Sequence, residues 1–397
     1  MKLLHVVPTY LPAVRYGGPI FAVHGLCRAL VERGHELEVF TTNVNGAQDS
    51  EVPVGIPVSI DGVKVRYFRS RFLRRLFFSP PLARALNLEL ATFSAIHLHS
   101  VYLWPTAATA ALARRADIPY ILSPRGMLVR DLIQRRSRYL KSAWIELVEK
   151  RNLKGAAAIH VTSSVEALEL QRFGWRLPPI EVIPNGVDAL SAHNGGEVSP
   201  DVRAIAVGRP LLFLGRLSWK KGLDRLIEAM AATQGPELVI VGTDDESISP
   251  KLRELARKLG VESRVRILDR TVLGADKEHL YASARAFVLP SYSENFGNTV
   301  LEAMQRGLAV ITTPEVGASQ IVLEAKAGIV TPGDCKNLSA AIQSIWSSEP
   351  MTLAMGDAGR RHVDCHFGWT TIAAKMESIY ESLIASPRTA VSSGRCR

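Results

Sequence analysis

The stretch LLFLGRLSWKKGLDRLIEAM, residues 211–230, decides the fold of the chain. Its four apolar residues Leu211–Leu214 are typical of a buried strand, and Gly222–Ala232 places apolar residues at helical spacing. A short loop that begins at Gly215 joins the two. A strand followed closely by an amphipathic helix is the repeating unit of parallel sheets that carry helices on both faces.

The rest of the second half repeats this unit. Apolar runs predict further strands at Leu238–Val241, Val265–Leu268, Ala286–Pro290, Ala309–Thr312 and Gly328–Val330. Helical spacing predicts helices at Pro250–Leu259, Lys277–Ala284, Thr299–Gln305 and Leu338–Trp346, and a last amphipathic stretch at Trp369–Ile384. We therefore expect one parallel α/β sheet in this half.

The first half follows the same plan less regularly. Strands are predicted at Leu3–Val7, Leu37–Thr41, Ala95–His99, Pro119–Leu122 and Ala158–Thr162. Helices are predicted at Ile20–Arg33, Ala107–Arg115 and Arg138–Asn152. This alternation predicts a second parallel sheet.

The chain is expected to divide at a segment rich in turn residues. Its 397 residues exceed what one ordinary core holds. IPNGVD at Ile183–Asp188 has turn chemistry, and Ala189–Pro210 is rich in Gly, Ser and Pro. We expect domains at 1–188 and 189–368, followed by a C-terminal helix and tail at 369–397.

Composition excludes several classes of protein. Hydrophobic residues make up 47% and charged residues 22%, as in a globular protein that is not disordered. No apolar run reaches the roughly 20 residues that span a bilayer, and the N-terminus does not resemble a signal peptide. The four cysteines lack CxxC spacing, which favours reduced cytoplasmic thiols over a metal or disulfide role.

The net charge of +10 is concentrated in KVRYFRSRFLRRLFF, Lys64–Phe78, which has six basic residues and no acidic one. Aromatic and aliphatic residues alternate with the cations, a pattern that suits an anionic membrane surface. The alternatives are a solvated helix that packs through its aromatics and a nucleic-acid contact. No nucleic-acid-binding motif supports the last.

Three places combine a turn or strand end with polar groups, where open α/β sheets bind ligands. Gly215 allows a close turn, and Arg216 and Lys221 precede a helix, which suits a diphosphate, although two surface cations give the same pattern. PSYSENFGNTVLEAMQRG, residues 290–307, carries Glu294 in a loop and Glu302 on a helix. These carboxylates can accept hydrogen bonds from sugar hydroxyls or can be solvated. The third place is Gly17-Gly18 before the first helix, where glycines permit close approach of a phosphate or sugar, although a simple turn gives the same pattern. This pair is not the GxGxxG fingerprint of nicotinamide-binding domains.

Together, GRLSWKKG, SENFGNTVLEA, IPNGVD and PTYLPAVRYGG resemble the retaining GT-B glycosyltransferases of family 4. The resemblance extends over nearly the whole chain. It implies an α/β GT-B fold, in which two Rossmann-like domains face each other across a cleft. The first domain would bind the acceptor and the second a nucleotide-sugar donor, with the C-terminal helix packing back on the first.

The resemblance also implies roles for individual residues. Arg216 and Lys221 would hold the donor diphosphate and stabilise the leaving group, Glu294 would bind the transferred sugar, and Glu302 the ribose. Further donor contacts are expected from Gly17, Gly18, Gly215, Arg270, Asn295, Phe296, Gly297, Asn298 and Thr299.

The implied reaction is metal-independent transfer of a hexose with retention of configuration, in which the donor phosphate accepts the proton of the acceptor hydroxyl. No Asp-x-Asp motif is evident, because Asp244-Asp245-Glu246 lies in an expected loop and is interpreted as solvated. The two cations would replace a metal, and no cofactor is expected.

The sequence departs from the family at one position. Many members carry His-Gly after the strand that ends near Leu122, whereas this chain has SPRGML, which places Arg125 there. Arginine cannot act as a base, but it can hold a phosphate or a sugar hydroxyl. His97 and His99 share one face of a strand, and His99 is either a site residue or a structural histidine. A His-x-His metal site is disfavoured because no third ligand is apparent.

The function that follows is transfer from a UDP- or GDP-sugar to a lipid-linked glycan in cell-surface or exopolysaccharide synthesis. The enzyme would be cytoplasmic and peripheral at the inner face of the membrane, through Lys64–Phe78. The alternatives are transfer to a soluble sugar or metabolite and a catalytically inactive nucleotide-sugar-binding subunit. Nucleic acid is not an expected partner.

Overall fold

A computed structural model of the chain describes residues 1–14, 17–130, 142–190 and 196–385. These residues form two compact units. The first comprises Met1–Val161, Ala167–Ile183 and the segment that begins at Trp369. The second comprises Thr162–Glu166 and Pro184–Gly368.

The first unit is built on an eight-stranded sheet in the order β10-β9-β8-β7-β1-β2-β6-β5. Neighbouring strands are parallel except β5 and β6, which form an antiparallel pair. The strands are β1 (Lys2–Val6), β2 (Glu36–Thr42), β5 (Pro57–Ile60), β6 (Val63–Phe68), β7 (Ala95–His99), β8 (Tyr120–Ser123), β9 (Ala158–Val161) and β10 (Ile180–Val182), with β3 (Val44–Asn45) and β4 (Gln48–Asp49) forming a separate ribbon.

Helices pack against this sheet, and the apolar side chains of sheet and helices form two hydrophobic cores. They are α1 (Gly18–Glu32), α2 (Pro80–Glu89), α3 (Trp104–Arg115), α4 (Lys150–Lys154), α5 (Ser164–Gln171, which starts in the second unit) and the C-terminal α14 (Trp369–Ala385). Helix α14 packs on α1. A Cβ atom at Gly25 would lie 2.2 Å from the Trp369 ring, so glycine alone admits this contact.

The second unit carries a six-stranded parallel sheet in the order β13-β12-β11-β14-β15-β16. Its strands are β11 (Leu211–Leu214), β12 (Leu238–Val241), β13 (Val265–Leu268), β14 (Ala286–Leu289), β15 (Ala309–Thr312) and β16 (Gly328–Val330). Its helices are α6 (Pro200–Ile205), α7 (Leu223–Ala231), α8 (Ser249–Lys258), α9 (Gly274–Ser283), α10 (Asn298–Gln305), α11 (Ser319–Glu324), α12 (Cys335–Ser347) and α13 (Glu349–His366).

The predicted strands and helices of the second half lie within a few residues of those observed. Helix α6 falls inside the expected hinge Ala189–Pro210, of which residues 191–195 lie outside the described residues. Of the expected helix Arg138–Asn152, residues 138–141 are likewise outside. A π-helical turn at Ile145–Glu149 precedes α4. Among the described residues, no helix combines the length and the apolar character needed to cross a bilayer.

Candidate functional site

The candidate site of the second unit lies at the topological switch point of its sheet. Strands β11 to β13 follow one another toward one edge, and strands β14 to β16 follow one another toward the other. Strand β11 pairs with β12 on one side and with β14 on the other, so the chain leaves β11 toward one edge and returns to its opposite side. In open parallel sheets the usual ligand position is beyond the carboxyl ends of the strands at such a switch point. The loop after β11 carries Arg216 and Lys221, and the loop after β14 carries Glu294.

The structure joins Lys221 to Glu294. The ammonium of Lys221 donates to the carboxylate of Glu294, and both side chains are about four-fifths buried, with 17% and 20% exposure. Lys221 ends a 3₁₀ turn, and Gly222 follows it with φ 64°. A Cβ atom at Gly222 would lie 2.1 Å from the carbonyl oxygen of Pro290, so only glycine lets the two loops meet here.

The backbone around Glu294 is fixed by the next loop of the sheet. The amide of Glu294 donates to the carbonyl of Glu315 at 3.1 Å, and its own carbonyl accepts from Gly317 at 3.0 Å. Phe296 is buried at 3% exposure, and Gly297 precedes α10 with φ 90°. Asn295 and Thr299, at the two ends of this turn, are half-buried. The turn therefore presents its polar groups from a rigid base.

Glu302 and Asn298 lie on α10 and both have protein partners. The Oε2 atom of Glu302 accepts from the hydroxyl of Tyr281 at 2.8 Å and from the ammonium of Lys277 at 2.9 Å. Asn185, from the turn IPNGVD, donates to Oδ1 of Asn298 at 2.8 Å. The expected motif IPNGVD is thus part of the same corner of the second unit.

Two of the predicted cations differ in what they contact. Arg216 is exposed, and no carboxylate of the described chain forms an ion pair with it. Arg270 is held bidentately by Asp201, with both N–O distances at 2.8 Å, and contacts Asp276 at 3.0 Å. If Arg270 contacts the nucleotide-sugar as predicted, it would do so with a guanidinium that Asp201 and Asp276 already orient.

The acidic loop after β12 is more structured than the sequence indicated. Asp244 accepts from the amides of Ile248 and Ser249 at 2.8 and 2.7 Å, which anchors the start of α8. Burial alone would raise the pKa of Asp244, but these hydrogen bonds to the carboxylate lower it overall. Glu246 accepts from the amide of Trp219 at 3.1 Å. The interpretation of Asp244 as merely solvated is therefore wrong, whereas Asp245 and Glu246 are exposed as expected.

The candidate residues of the first unit lie at two places. Gly17, with φ 74°, precedes α1, Gly18 is its first residue, and a Cβ atom at Gly17 would contact nothing within 4 Å. Arg125 follows β8 with φ 56°, a left-handed conformation that is unusual for a residue with a side chain. Its guanidinium lies 3.2 Å from Nδ1 of His99.

His99 belongs to a cluster that sequence reasoning missed. His5 pairs in register with His97 on the neighbouring strand, and the ligand nitrogens of His5, His97 and His99 lie within 4.8 Å of one another. The expectation that no third imidazole is available was therefore wrong. The signal was present, because His5 occupies the same alternating face of β1 that His97 occupies on β7, but the pairing of β1 with β7 could not be derived from the sequence.

All four buried imidazoles of this region are neutral. Burial first and the cation of Arg125 second lower the pKa of His5 and of His160 to about 3. Burial is also the main cause that holds the pKa values of His97 and His99 well below the usual range. None of them can serve as a proton acceptor that charges readily near neutral pH.

Two family models match this chain. Residues 17–186 match a model described as glycosyl transferase 4-like domain, and residues 207–362 match one described as glycosyl transferases group 1. The chain belongs to the group 1 glycosyltransferases. The expected family is confirmed.

Individual relatives support the same assignment at low identity. This glycosyltransferase is 27% identical to a glycogen synthase of Mycobacterium tuberculosis over 421 residues, which cover 96% of this chain and 94% of the relative. It is 26% identical to the D-inositol 3-phosphate glycosyltransferase of Paenarthrobacter aurescens over 405 residues, 96% and 97% of the two chains.

Solved structures show the fold. Sucrose-phosphate synthase of Thermosynechococcus elongatus has a TM-score of 0.76 at 22% identity and covers 98% of this chain and 100% of its own. Anabaena Alr3699/HepE in complex with UDP-glucose has a TM-score of 0.71 at 20% identity, with 96% and 100% covered. The glycosyltransferase therefore has the expected GT-B fold.

The basic segment Lys64–Phe78 of the glycosyltransferase is divided by the fold. Its first part is strand β6, in which Lys64 and Arg66 pair with Glu38, and Phe68 is buried. Phe77 is also buried, and Phe78 packs on Trp104 with ring centroids 5.0 Å apart. The alternative of one solvated helix is wrong, because only Arg74–Leu76 forms a helical turn, of the 3₁₀ type.

Exposed side chains of the segment are concentrated in a short tip, residues 69–76, in which Ser70 is buried and Arg74 pairs with Asp49. Phe72 is 74% exposed, Leu73 64% and Leu76 38%, although such side chains are usually buried. Arg69, Arg71 and Arg75 are exposed beside them, and no carboxylate of the described residues pairs with these three. The tip thus combines apolar side chains with cations that no described carboxylate compensates.

Proposed function

We propose that this glycosyltransferase transfers a hexose from a UDP- or GDP-sugar to an acceptor hydroxyl with retention of the anomeric configuration. The observation that carries the proposal is the contact of Lys221 with Glu294 at the switch point of the second sheet. A cation for the leaving diphosphate and an acceptor for sugar hydroxyls then lie side by side. The Anabaena relative of known structure was solved with UDP-glucose, which supports a nucleotide-sugar donor.

Each residue would perform a distinct part of the reaction. Lys221 and Arg216 would bind the diphosphate and stabilise the negative charge that develops as the glycosidic bond breaks. Glu294 would accept hydrogen bonds from hydroxyls of the sugar. Among the described residues, both contacts of the Glu302 carboxylate use Oε2, so Oε1 would accept from the ribose. The leaving phosphate would take the proton of the attacking hydroxyl on the same face of the sugar.

We infer that the two cations take the place of a divalent metal. Arg216 and Lys221 supply positive charge where a metal would neutralise the diphosphate. Turnover that persists in EDTA supports this inference, and turnover that requires added magnesium or manganese contradicts it.

For the acceptor, we propose a lipid-linked glycan at the inner face of the cell membrane. The exposed tip at residues 69–76 supports membrane contact, because apolar side chains can enter the interface while neighbouring cations bind anionic headgroups. A soluble acceptor is the second candidate, since a relative is named for transfer to D-inositol 3-phosphate. An inactive binding subunit is the third, and the contact between Lys221 and Glu294 is the argument against it.

The test is turnover by the purified chain with a panel of UDP- and GDP-hexoses. Acceptors are a membrane lipid extract in one arm and soluble sugars and inositol phosphates in the other. Release of nucleoside diphosphate with an acceptor product that keeps the donor configuration, read by proton NMR, supports the proposal. Inverted product contradicts retention, and donor binding with no transfer in either arm favours the inactive subunit.

A further inference from the structure

A continuous series of hydrogen bonds crosses the interior of the first unit. It runs from Arg125 to His99 (3.2 Å), from His99 to His5 (3.1 Å) and from His5 to the hydroxyl of Tyr380 (3.3 Å). It continues from Tyr380 to His97 (2.7 Å) and then through Ser123, His160 and the carbonyl of Ile183, at 2.7, 2.8 and 2.9 Å. Every side chain between the two ends is buried.

The end at Arg125 fixes the direction of these bonds. A guanidinium can only donate, so Nδ1 of His99 accepts, and its neutral ring carries the proton on Nε2. That proton is donated to Nδ1 of His5, which places the proton of His5 on Nε2, facing Tyr380. The single hydroxyl proton of Tyr380 is then donated to Nδ1 of His97.

The other end gives the same answer independently. The carbonyl of Ile183 can only accept, so Nε2 of His160 carries the proton and Nδ1 accepts from the hydroxyl of Ser123. Ser123 has no second proton, and Nε2 of His97 must therefore donate to it. Both ends require the Nε2–H form of all four rings, and no bond in the series has two donors or two acceptors.

We propose that this series is a single-direction hydrogen-bond chain that positions the guanidinium of Arg125, with His99, His5, Tyr380, His97, Ser123 and His160 as its positioning residues. Hydrogen bonds in such a chain polarise one another, so each member strengthens Nδ1 of His99 as an acceptor for Arg125. The hydrogen-bond chain thereby holds Arg125 in its strained left-handed backbone conformation and fixes a guanidinium that could hold a phosphate or a sugar hydroxyl of a substrate. The positioning role rests on the proposed function, whereas the direction of the hydrogen bonds does not.

The same contacts argue against a metal ion among His5, His97 and His99. Both ring nitrogens of each histidine already bond to protein groups in the series, and a metal would have to displace at least three of these bonds. The cation of Arg125 would also repel it. The thiol of Cys27, 3.4 Å from Nδ1 of His5, fits the chain as a second, weak donor to that nitrogen.

The proton positions can be measured without any assay of activity. In protein labelled with ¹⁵N-histidine and assigned by single His→Gln variants, we expect His5, His97, His99 and His160 each to show a proton on Nε2 and none on Nδ1. These forms should persist between about pH 5 and 8. A proton on Nδ1 of any of the four would contradict the proposed hydrogen-bond direction. Added zinc that shifts the ¹⁵N signals of His5, His97 and His99 together would contradict it as well.

Substitution of Arg125 tests which end sets the direction. In Arg125→Met, the four Nε2–H forms should remain because Ile183 still dictates them, and the pKa of His99 should rise because a nearby cation is gone. The variant Arg130→Met, which changes an exposed arginine that follows this loop, should change neither. Loss of the Nε2–H forms in Arg125→Met contradicts the two-ended assignment.

The positioning role is tested with Tyr380→Phe and Ser123→Ala, which interrupt the chain at two points. The Nε–H group of Arg125 should become mobile by ¹⁵N relaxation in both, and kcat should fall about tenfold at an unchanged KM for the donor. The control Tyr120→Phe also loses a buried hydroxyl bond, to the carbonyl of Asn152, but lies outside the chain and should keep both readouts. An equal loss in the control, or an Arg125 that stays rigid in both variants, overturns the role. Nε2–H forms in a wild-type protein that turns over no nucleotide-sugar support the chain and contradict the proposed function.

Discussion

Lys221 and Glu294 are 73 residues apart in the sequence, and their contact is the observation on which the proposed function rests. We expect Lys221→Ala and Glu294→Ala each to lower kcat at least about 100-fold, because under the proposed function Lys221 would stabilise the developing charge and Glu294 would bind the transferred sugar. The folded state should persist, since both groups are part of a site and not of a core. Steady-state kinetics and circular dichroism provide the measurement.

The matched control removes an ion pair away from the site. Glu254→Ala breaks an exposed contact with Arg257 on α8 and should leave kcat within twofold of the wild type. Equal rates for Lys221→Ala and Glu254→Ala would remove Lys221 from the reaction.

The buried histidines predict how stability depends on pH. Their folded-state pKa values lie below the ordinary 6.5, with His5 and His160 at about 3, so the folded chain binds fewer protons than the unfolded chain below pH 6.5. The free energy of unfolding should therefore fall on acidification from about pH 6.5 to 5, by up to about 1.4 kcal/mol per pH unit for each histidine. Urea unfolding at several pH values measures how steeply the free energy of unfolding depends on pH. His160→Gln should reduce this dependence by the contribution of one histidine. A stability that stays constant over this range would contradict neutral burial.

Among individual residues, the sequence allowed prediction of those that belong to a recognisable motif. It did not reveal those that only strand pairing brings together. The proximity of Lys221 and Glu294 could be predicted because the loops after β11 and β14 are recognisable along the chain. The site roles of Arg216, Lys221, Glu294 and Glu302 stay predictions. The partners of His99 were missed because His5 precedes it by 94 residues and Tyr380 belongs to a helix at the other end of the chain. No spacing rule connects such positions.

Among the structural elements, the turn before α7 makes the sharpest prediction. Gly222→Ala would place a Cβ atom 2.1 Å from the carbonyl oxygen of Pro290 and would also strain a residue at φ 64°. We expect a loss of more than about 2 kcal/mol in unfolding free energy and weaker nucleotide binding, because Lys221 is displaced with the turn.

Gly260→Ala isolates the backbone contribution. Gly260 has φ 70°, but an added Cβ atom would contact nothing within 4 Å. The variant should lose only about 1 kcal/mol and keep its nucleotide affinity. Equal losses in the two variants would show that the approach of the Pro290 loop to the turn is not constrained as described.

The elements that the sequence did not predict have physical explanations. Helix α13 contains Gly356 and Gly359, which disfavour a helix in isolation. A Cβ atom at Gly356 would lie 1.9 Å from the carbonyl oxygen of Gly307, so these glycines allow the helix to pack closely on its neighbour. Strands β5 and β6 were missed because they pair at the edge of the sheet, and the cations of β6 obscured its alternating buried residues.

At the scale of the whole molecule, the exposed tip at residues 69–76 predicts membrane binding. Removal of two cations in Arg71→Ser/Arg75→Ser should weaken binding to anionic vesicles about thirtyfold, because each cation near the surface contributes about 1 kcal/mol. Phe72→Ser should weaken it further. Vesicle co-sedimentation gives the measurement.

The control for this prediction is an exposed apolar residue elsewhere. Leu88→Ser, on α2 at 81% exposure, should bind vesicles as the wild type does. Wild-type protein that sediments equally with anionic and neutral vesicles would contradict the membrane proposal and favour a soluble acceptor.

In the proposed function, the second unit holds a nucleotide-sugar at Arg216, Lys221 and Glu294. The measurement that tests it most directly is the melting temperature of the wild type and of Lys221→Ala with UDP, GDP, ADP and their hexose conjugates. A ligand that binds only the folded state adds about 2.7 kcal/mol of stability at 100 times its dissociation constant. We expect one nucleotide and its conjugate to raise the melting temperature of the wild type, and Lys221→Ala to lose most of the increase. An unchanged melting temperature with every nucleotide, or an equal increase in Lys221→Ala, would contradict it.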